Sequence, residues 1–142
     1  MPQTAPDTAT PARRGAWQPR LTAIAAAAVV NVLVGAAAPL VGADLVIAPP
    51  GQAESAVPLA AFALFTVVFG LIGWGTLALA ERFLGRRGLL VWTVVALVFA
   101  VLSCVPSLTV GGSAATGALL ASTHLLAAAV MIPVFRRSSP TA

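Results

Sequence analysis

Four stretches of this chain, residues 21–43, 57–80, 88–105 and 114–135, run without a single charged side chain. Each is close to the roughly 20 residues that a helix needs to cross about 30 Å of hydrocarbon. Backbone amides in lipid have no water to bond, so a lone apolar segment there must satisfy them within itself, as a helix. Composition supports the same solvent. Of the 142 residues, 59% are hydrophobic and 8% are charged, against about 25% charged in an ordinary soluble domain. A soluble domain of this size leaves much of its surface in water and could not hide so much apolar area. The expected fold is therefore all-α: an integral membrane, up-down bundle of four transmembrane helices.

The links between the runs carry turn chemistry. Residues 44–56 contain Pro49, Pro50 and Gly51, a strong helix break. Residues 81–87 form a charged turn with Gly85 placed to end a helix. Residues 106–113 begin with Pro106 and contain Gly111 and Gly112. Short links of this kind favour antiparallel neighbours. Residues 1–20, rich in Pro, Thr and Gln, read as a disordered cytoplasmic tail. Residues 21–137 then form the transmembrane domain, and 138–142 a short second tail.

Arginine sets the expected orientation. Arg13, Arg14 and Arg20 precede the first run, Arg82, Arg86 and Arg87 separate the second from the third, and Arg136 and Arg137 follow the fourth. With four crossings these groups share one side, which the positive-inside rule makes cytoplasmic. Trp17 and Trp92 fall near the same boundary and join the arginines as interface anchors, while Asp44 and Glu54 fall in the outer loop. The triplet Arg82, Arg86 and Arg87 suits anionic lipid headgroups. The net charge of +4 thus reads as a membrane pattern and not as a nucleic-acid surface. Ala fills more than a fifth of the chain, and every basic residue is Arg. That bias suits a GC-rich bacterial genome, so the expected location is a bacterial cytoplasmic membrane, multi-pass, with both termini inside. A cleaved signal peptide ending near Gly42-Ala43 is the alternative for the first run, whose length exceeds the usual apolar core of about 7–15 residues.

Two polar residues stand out within the runs. Asn31 lies in the first and His124 in the fourth, each about ten residues from the start of its run. An intramembrane amide can hydrogen-bond across helices for about 0.6–2 kcal/mol, and an intramembrane ionisable residue is a functional candidate by default. First and last helices of an up-down bundle are neighbours, so Asn31 and His124 are expected to approach each other, directly or through water. The four-residue recurrence Ala23, Ala27, Asn31, Gly35, Pro39 should face the bundle, as should Gly117, Ala121, His124 and Ala128. Gly70, Gly73 and Gly75 favour close helix contacts. Pro133 leaves the Ala129 carbonyl without its usual donor, so a kink is expected.

The single Cys104 excludes an intramolecular disulfide. One His, one Cys and no intramembrane carboxylate make a metal site unexpected. No phosphate-loop, dinucleotide, nucleophile-elbow or zinc-protease pattern occurs. No cofactor and no enzymatic activity are expected.

The apolar first run with Asn31, the second run opening at Pro58, and Ser122-Thr123-His124-Leu125-Leu126 leading to Ile132-Pro133 and Arg136-Arg137 resemble a group of small four-helix membrane proteins of actinobacteria, a family of unknown function. The likeness covers about residues 20–137, and it implies the same topology and no established activity. Small multidrug-resistance transporters share the helix count but need an acidic residue inside the first helix, where this chain has Asn31. Three functional classes follow. The leading one is a structural or accessory protein that binds lipid, another membrane protein or a second copy. The second is a small channel or transporter with Asn31 and His124 lining a polar path. The third is a membrane enzyme using His124 as a base, for which no second catalytic group is evident.

Overall fold

The computed structural model describes residues 15, 17–110 and 112–140, and the described chain is mostly helical. Helix α1 spans Trp17–Ala36, α2 Leu59–Leu84, α3 Gly88–Leu102, α4 Cys104–Thr109 and α5 Ala114–Arg137. Short 3-10 turns occupy Ala38–Val41 and Gly85–Arg87, and a two-stranded antiparallel ribbon pairs β1 (Val46–Ile47) with β2 (Ser55–Ala56). Three stretches are long and apolar enough to cross a membrane: Trp17–Ala36, Leu59–Thr109 and Ala114–Arg137.

Proline and glycine explain where the helices stop. Pro39 lacks the N–H that would bond the Gly35 carbonyl, and the chain closes through Gly42 at φ 70. Pro58 caps α2 in extended geometry. Gly85, at φ 52, turns the chain out of α2, and three residues later a Cβ on Gly88 would strike the Ala80 carbonyl. Only glycine lets α3 begin so tightly against the end of α2. Pro106 lacks the N–H that would bond the Leu102 carbonyl, and the helix breaks at Ser103 before resuming as α4. Ser113 caps α5 by accepting from the Thr116 amide at 3.1 Å. Helix α5 then continues through Pro133 without interruption.

These bounds depart from the sequence expectation in several places. Trp17–Arg20, assigned to the disordered tail, form the first turn of α1; residues 1–14, with Arg13 and Arg14, and residue 16 lie outside the described residues. The second helix runs on to Leu84, through residues 81–84 that were assigned to the charged turn. The first helix ends at Ala36 and not at residue 43. The third is divided at Ser103. The outer loop holds a ribbon where none was foreseen, because two-residue strands have no period to read.

Helix α1 lies between α2 and α5, and α3 packs on both α2 and α5. One apolar core cluster joins Ile24, Leu77, Trp92 and Phe135 near the arginine-bearing end. A second joins Ala38, Ala43, Phe62 and Leu119 near the ribbon. Burial is the inverse of a water-soluble protein's. The buried set is dominated by Ala, whereas Leu33, Leu64, Phe65, Leu90 and Val101 each leave about 60% of their surface open.

A polar-floored cleft as candidate functional site

Along α1, residues 20, 23, 24, 27, 28, 31 and 35 are buried, so Asn31 sits on the inward face between Ala27 and Gly35. Pro39, the last member of the expected stripe, is exposed on the 3-10 turn. Asn31 is 4% exposed, and its Nδ2 donates to Thr66 Oγ1 of α2 at 2.9 Å. The Thr66 hydroxyl itself donates to the Phe62 carbonyl at 2.6 Å. Its one hydrogen is thereby used, so toward Asn31 it can only accept. This sets the amide orientation and leaves Asn31 Oδ1 buried with no hydrogen-bond partner among the described residues.

His124 is half-buried on α5. Its Nδ1 lies 2.9 Å from the Leu120 carbonyl, with Ser107 Oγ at 3.5 Å. A carbonyl only accepts, so Nδ1 carries the hydrogen and the neutral ring keeps Nε2 as an acceptor. Asn31 and His124 share no direct hydrogen bond, one of the two arrangements expected from the sequence; each is held by a different neighbour. The helix register explains the offset. Arg20 bonds to Ser138 at the far end of α1 and α5. Counted from that contact, Asn31 is about 16 Å and His124 about 21 Å along the axes.

The two residues nevertheless line one cleft of about 930 Å³. Its walls come from α2 on one side and α3 and α4 on the other, with α5 between them, and Asn31 is the residue that α1 contributes. Thr66, Ser103, Ser107 and Thr123 add hydroxyls beside Asn31 and His124, and no lining residue is charged. Phe65, Phe69 and Phe99 stand along the opening, with ring centroids 6.5 and 6.3 Å apart in sequence. Trp92 and Phe135 meet at the arginine-bearing end as a stacked pair, centroids 5.8 Å apart.

Two expected interface anchors are turned inward. Trp92 is 6% exposed and donates its indole N–H to the Gly73 carbonyl at 2.9 Å. Arg20 is 4% exposed: its Nη2 contacts Glu81 Oε1 at 3.4 Å, and its Nε donates to Ser138 Oγ at 3.0 Å. Glu81 also accepts from the Ser139 hydroxyl. A buried guanidinium needs such partners, since its desolvation is otherwise uncompensated. Trp17, Arg82, Arg86, Arg87, Arg136 and Arg137 are exposed. At the other end, Asp44 Oδ1 accepts from Thr116 Oγ1 at 2.7 Å and from the Val46 amide at 3.2 Å. These bonds, the Thr116 one foremost, hold the Asp44 carboxyl below its ordinary value.

Thr66 and Glu81 were not singled out from the sequence. Both lie on the α2 face that includes Gly70 and Leu77, at four-residue spacings on the same stripe. Extending the stripe of buried positions in each direction is the signal that finds them.

A family model, described as a family of unknown function (DUF6069), matches residues 11–141. No curated protein and no solved structure matches the chain.

Proposed function

The chain belongs to the DUF6069 family of unknown function, and from that premise we propose that it is an accessory protein of a bacterial cytoplasmic membrane, crossing four times with both termini inside, that binds a lipid-type molecule without transforming it. Three apolar stretches of spanning length support the membrane reading, as does a surface of large apolar side chains, which monomeric soluble proteins rarely expose contiguously. The middle stretch supplies two crossings. Trp92 bonded to Gly73 and Phe99 beside Phe69 require α3 to run back along α2. Helix α3 alone covers about 22 Å, and α4 extends the return crossing past the break at Ser103.

The observation that carries the binding reading is the cleft. Its volume lies within the range of small-molecule sites, about 300–1,000 Å³. It has apolar walls, a cluster of polar groups, and the Trp92–Phe135 stack at its arginine-bearing end. No lining residue carries a formal charge, which favours holding a neutral molecule over conducting an ion. His124 is the one titratable residue in the lining, so an acid–base reaction there would lack a second proton-transfer group. The test is to fill the cleft: Ala128→Phe, in purified protein stripped of lipid. Adding back extracted membrane lipid should raise the wild-type unfolding midpoint by several degrees and leave the variant unmoved. Equal responses of the two proteins would overturn the reading.

A further inference from the structure

Along its length the cleft changes chemistry. Near the middle lie Asn31, Thr66, Thr123 and His124; beyond them, toward the arginine-bearing end, the lining includes Gly70, Gly73, Ala96, Met131, Ile132 and the Trp92–Phe135 stack. From His124 to Phe135 is eleven residues of α5, an apolar segment about 16 Å long. Two acceptors border it. Asn31 Oδ1 is buried and has no partner among the described residues, and His124 keeps Nε2 as an acceptor because Nδ1 is bound to Leu120. The lining hydroxyls of Thr66, Thr123 and Ser107 already donate to the carbonyls of Phe62, Leu120 and Ser103. What this belt lacks is a hydrogen-bond donor, and a buried acceptor without one bears its full desolvation penalty.

We propose that the cleft selects a neutral single-chain lipid bearing a hydroxyl head: the chain lies along the apolar segment and the hydroxyl donates to Asn31 Oδ1. This rests on the binding reading above and specifies its ligand class. A charged headgroup would be stranded, since no lining residue carries a formal charge to pair with it. A plain alkane would leave Oδ1 unsatisfied. Asn31 lines the cleft; its Oδ1 is covered, and a modest turn about the broad χ2 torsion, with Nδ2 kept near Thr66, brings that oxygen to a donor in the cleft. Phe65, Phe69 and Phe99 line the side through which a chain would enter from the bilayer.

The test uses the full chain in phospholipid vesicles, photolabelled with tetradecanol carrying a diazirine in its chain. Unlabelled tetradecanol and its O-methyl ether, which has the same chain but no donor, compete for labelling of α2 and α5. Tetradecanol should compete about tenfold better, as one hydrogen bond of about 1.4 kcal/mol implies. In Asn31→Leu the two competitors should fall within twofold of each other while labelling persists. Equal competition by both in the wild-type protein overturns the donor selection and leaves the lipid-binding reading standing. If neither competes, both readings fall, and a partner helix becomes the indicated occupant. The wild-type comparison decides the proposal even where the variant does not fold.

Discussion

Asn31 is bound to Thr66 by a bond that neither can easily replace. Thr66→Val removes the acceptor and leaves both polar atoms of the Asn31 amide unpaired, a loss expected at about 1–2 kcal/mol. Asn31→Leu removes the polar atoms together and should cost less, and Thr66→Val should add little to it. A double-mutant cycle by detergent thermal unfolding should therefore show coupling for Asn31 with Thr66. In the same delipidated protein, Asn31 with His124 should be additive within about 0.5 kcal/mol, since they share no bond. Coupling that appeared only in the second pair would contradict the hydrogen-bond assignment. Glu81 poses the complementary case. Glu81→Gln leaves the Arg20 guanidinium buried without its counter-charge. The expected cost is about 1–3 kcal/mol, below the roughly 3–5 of a fully dry pair because Glu81 retains some exposure. Restoring stability with Arg20→Met in the Glu81→Gln background would show that the loss is uncompensated charge and not lost packing.

At the scale of the elements, glycine positions separate by what surrounds them. A Cβ at Gly88 would overlap the Ala80 carbonyl, whereas one at Gly75 meets nothing within 4 Å. Gly88→Ala must open the α2–α3 turn and should cost about 1–3 kcal/mol, while Gly75→Ala should be neutral or slightly stabilising through helix propensity; thermal midpoints of the two variants decide it. The outer ribbon is held by charge-assisted bonds to Asp44, and by Leu45, which adopts φ 55 while its amide donates to Thr116. Because folding lowers the Asp44 pKa, the bonds contribute fully above its ordinary value of 3.8 and are lost as pH falls below that toward the depressed folded value. Amide exchange at Leu45 and Val46 should accordingly accelerate below about pH 4 in the wild type, and should be fast and pH-independent, after correction for intrinsic rates, in Asp44→Asn. Much of this layer was legible in residues: Pro58 and Gly85 each mark an element boundary, and the inward stripe through Ala23, Ala27 and Asn31 is buried. Periodicity tells which face turns inward but not which neighbour meets it, so Thr66 was missed as the partner of Asn31. Counting depth from residue 21, when α1 begins at Trp17, hid the stagger with His124. Trp92 and Arg20 were assigned to the interface by residue type. Each lies on a buried stripe, and position on a helix face outweighs that tendency when a carbonyl or a carboxylate waits there.

For the whole molecule, the polarity of the two ends is the physical fact from which the proposed orientation follows. Arg20, bonded to Glu81 and Ser138, ties the start of α1 to the ends of α2 and α5. Arg82, Arg86, Arg87, Arg136 and Arg137 thus share one end, and Asp44 and Glu54 lie at the other. Anionic lipid on the cytoplasmic leaflet attracts each such arginine by about 1 kcal/mol, and five exposed ones acting together outweigh any bias that the acidic end exerts, since Asp and Glu contribute little to topology. The 3.0 Å hydrogen bond between Arg20 and Ser138 places the two helix ends together, as the proposed even number of crossings needs. The proposed arrangement therefore makes a sided prediction. In a Cys104→Ala background, Gln52→Cys in the outer loop should react with a membrane-impermeant maleimide added to intact cells. Pro140→Cys, beyond the end of α5, should react only after permeabilisation. Labelling of both in intact cells, or the reverse pattern, would mean that these arginines do not fix the side on which the helix ends rest.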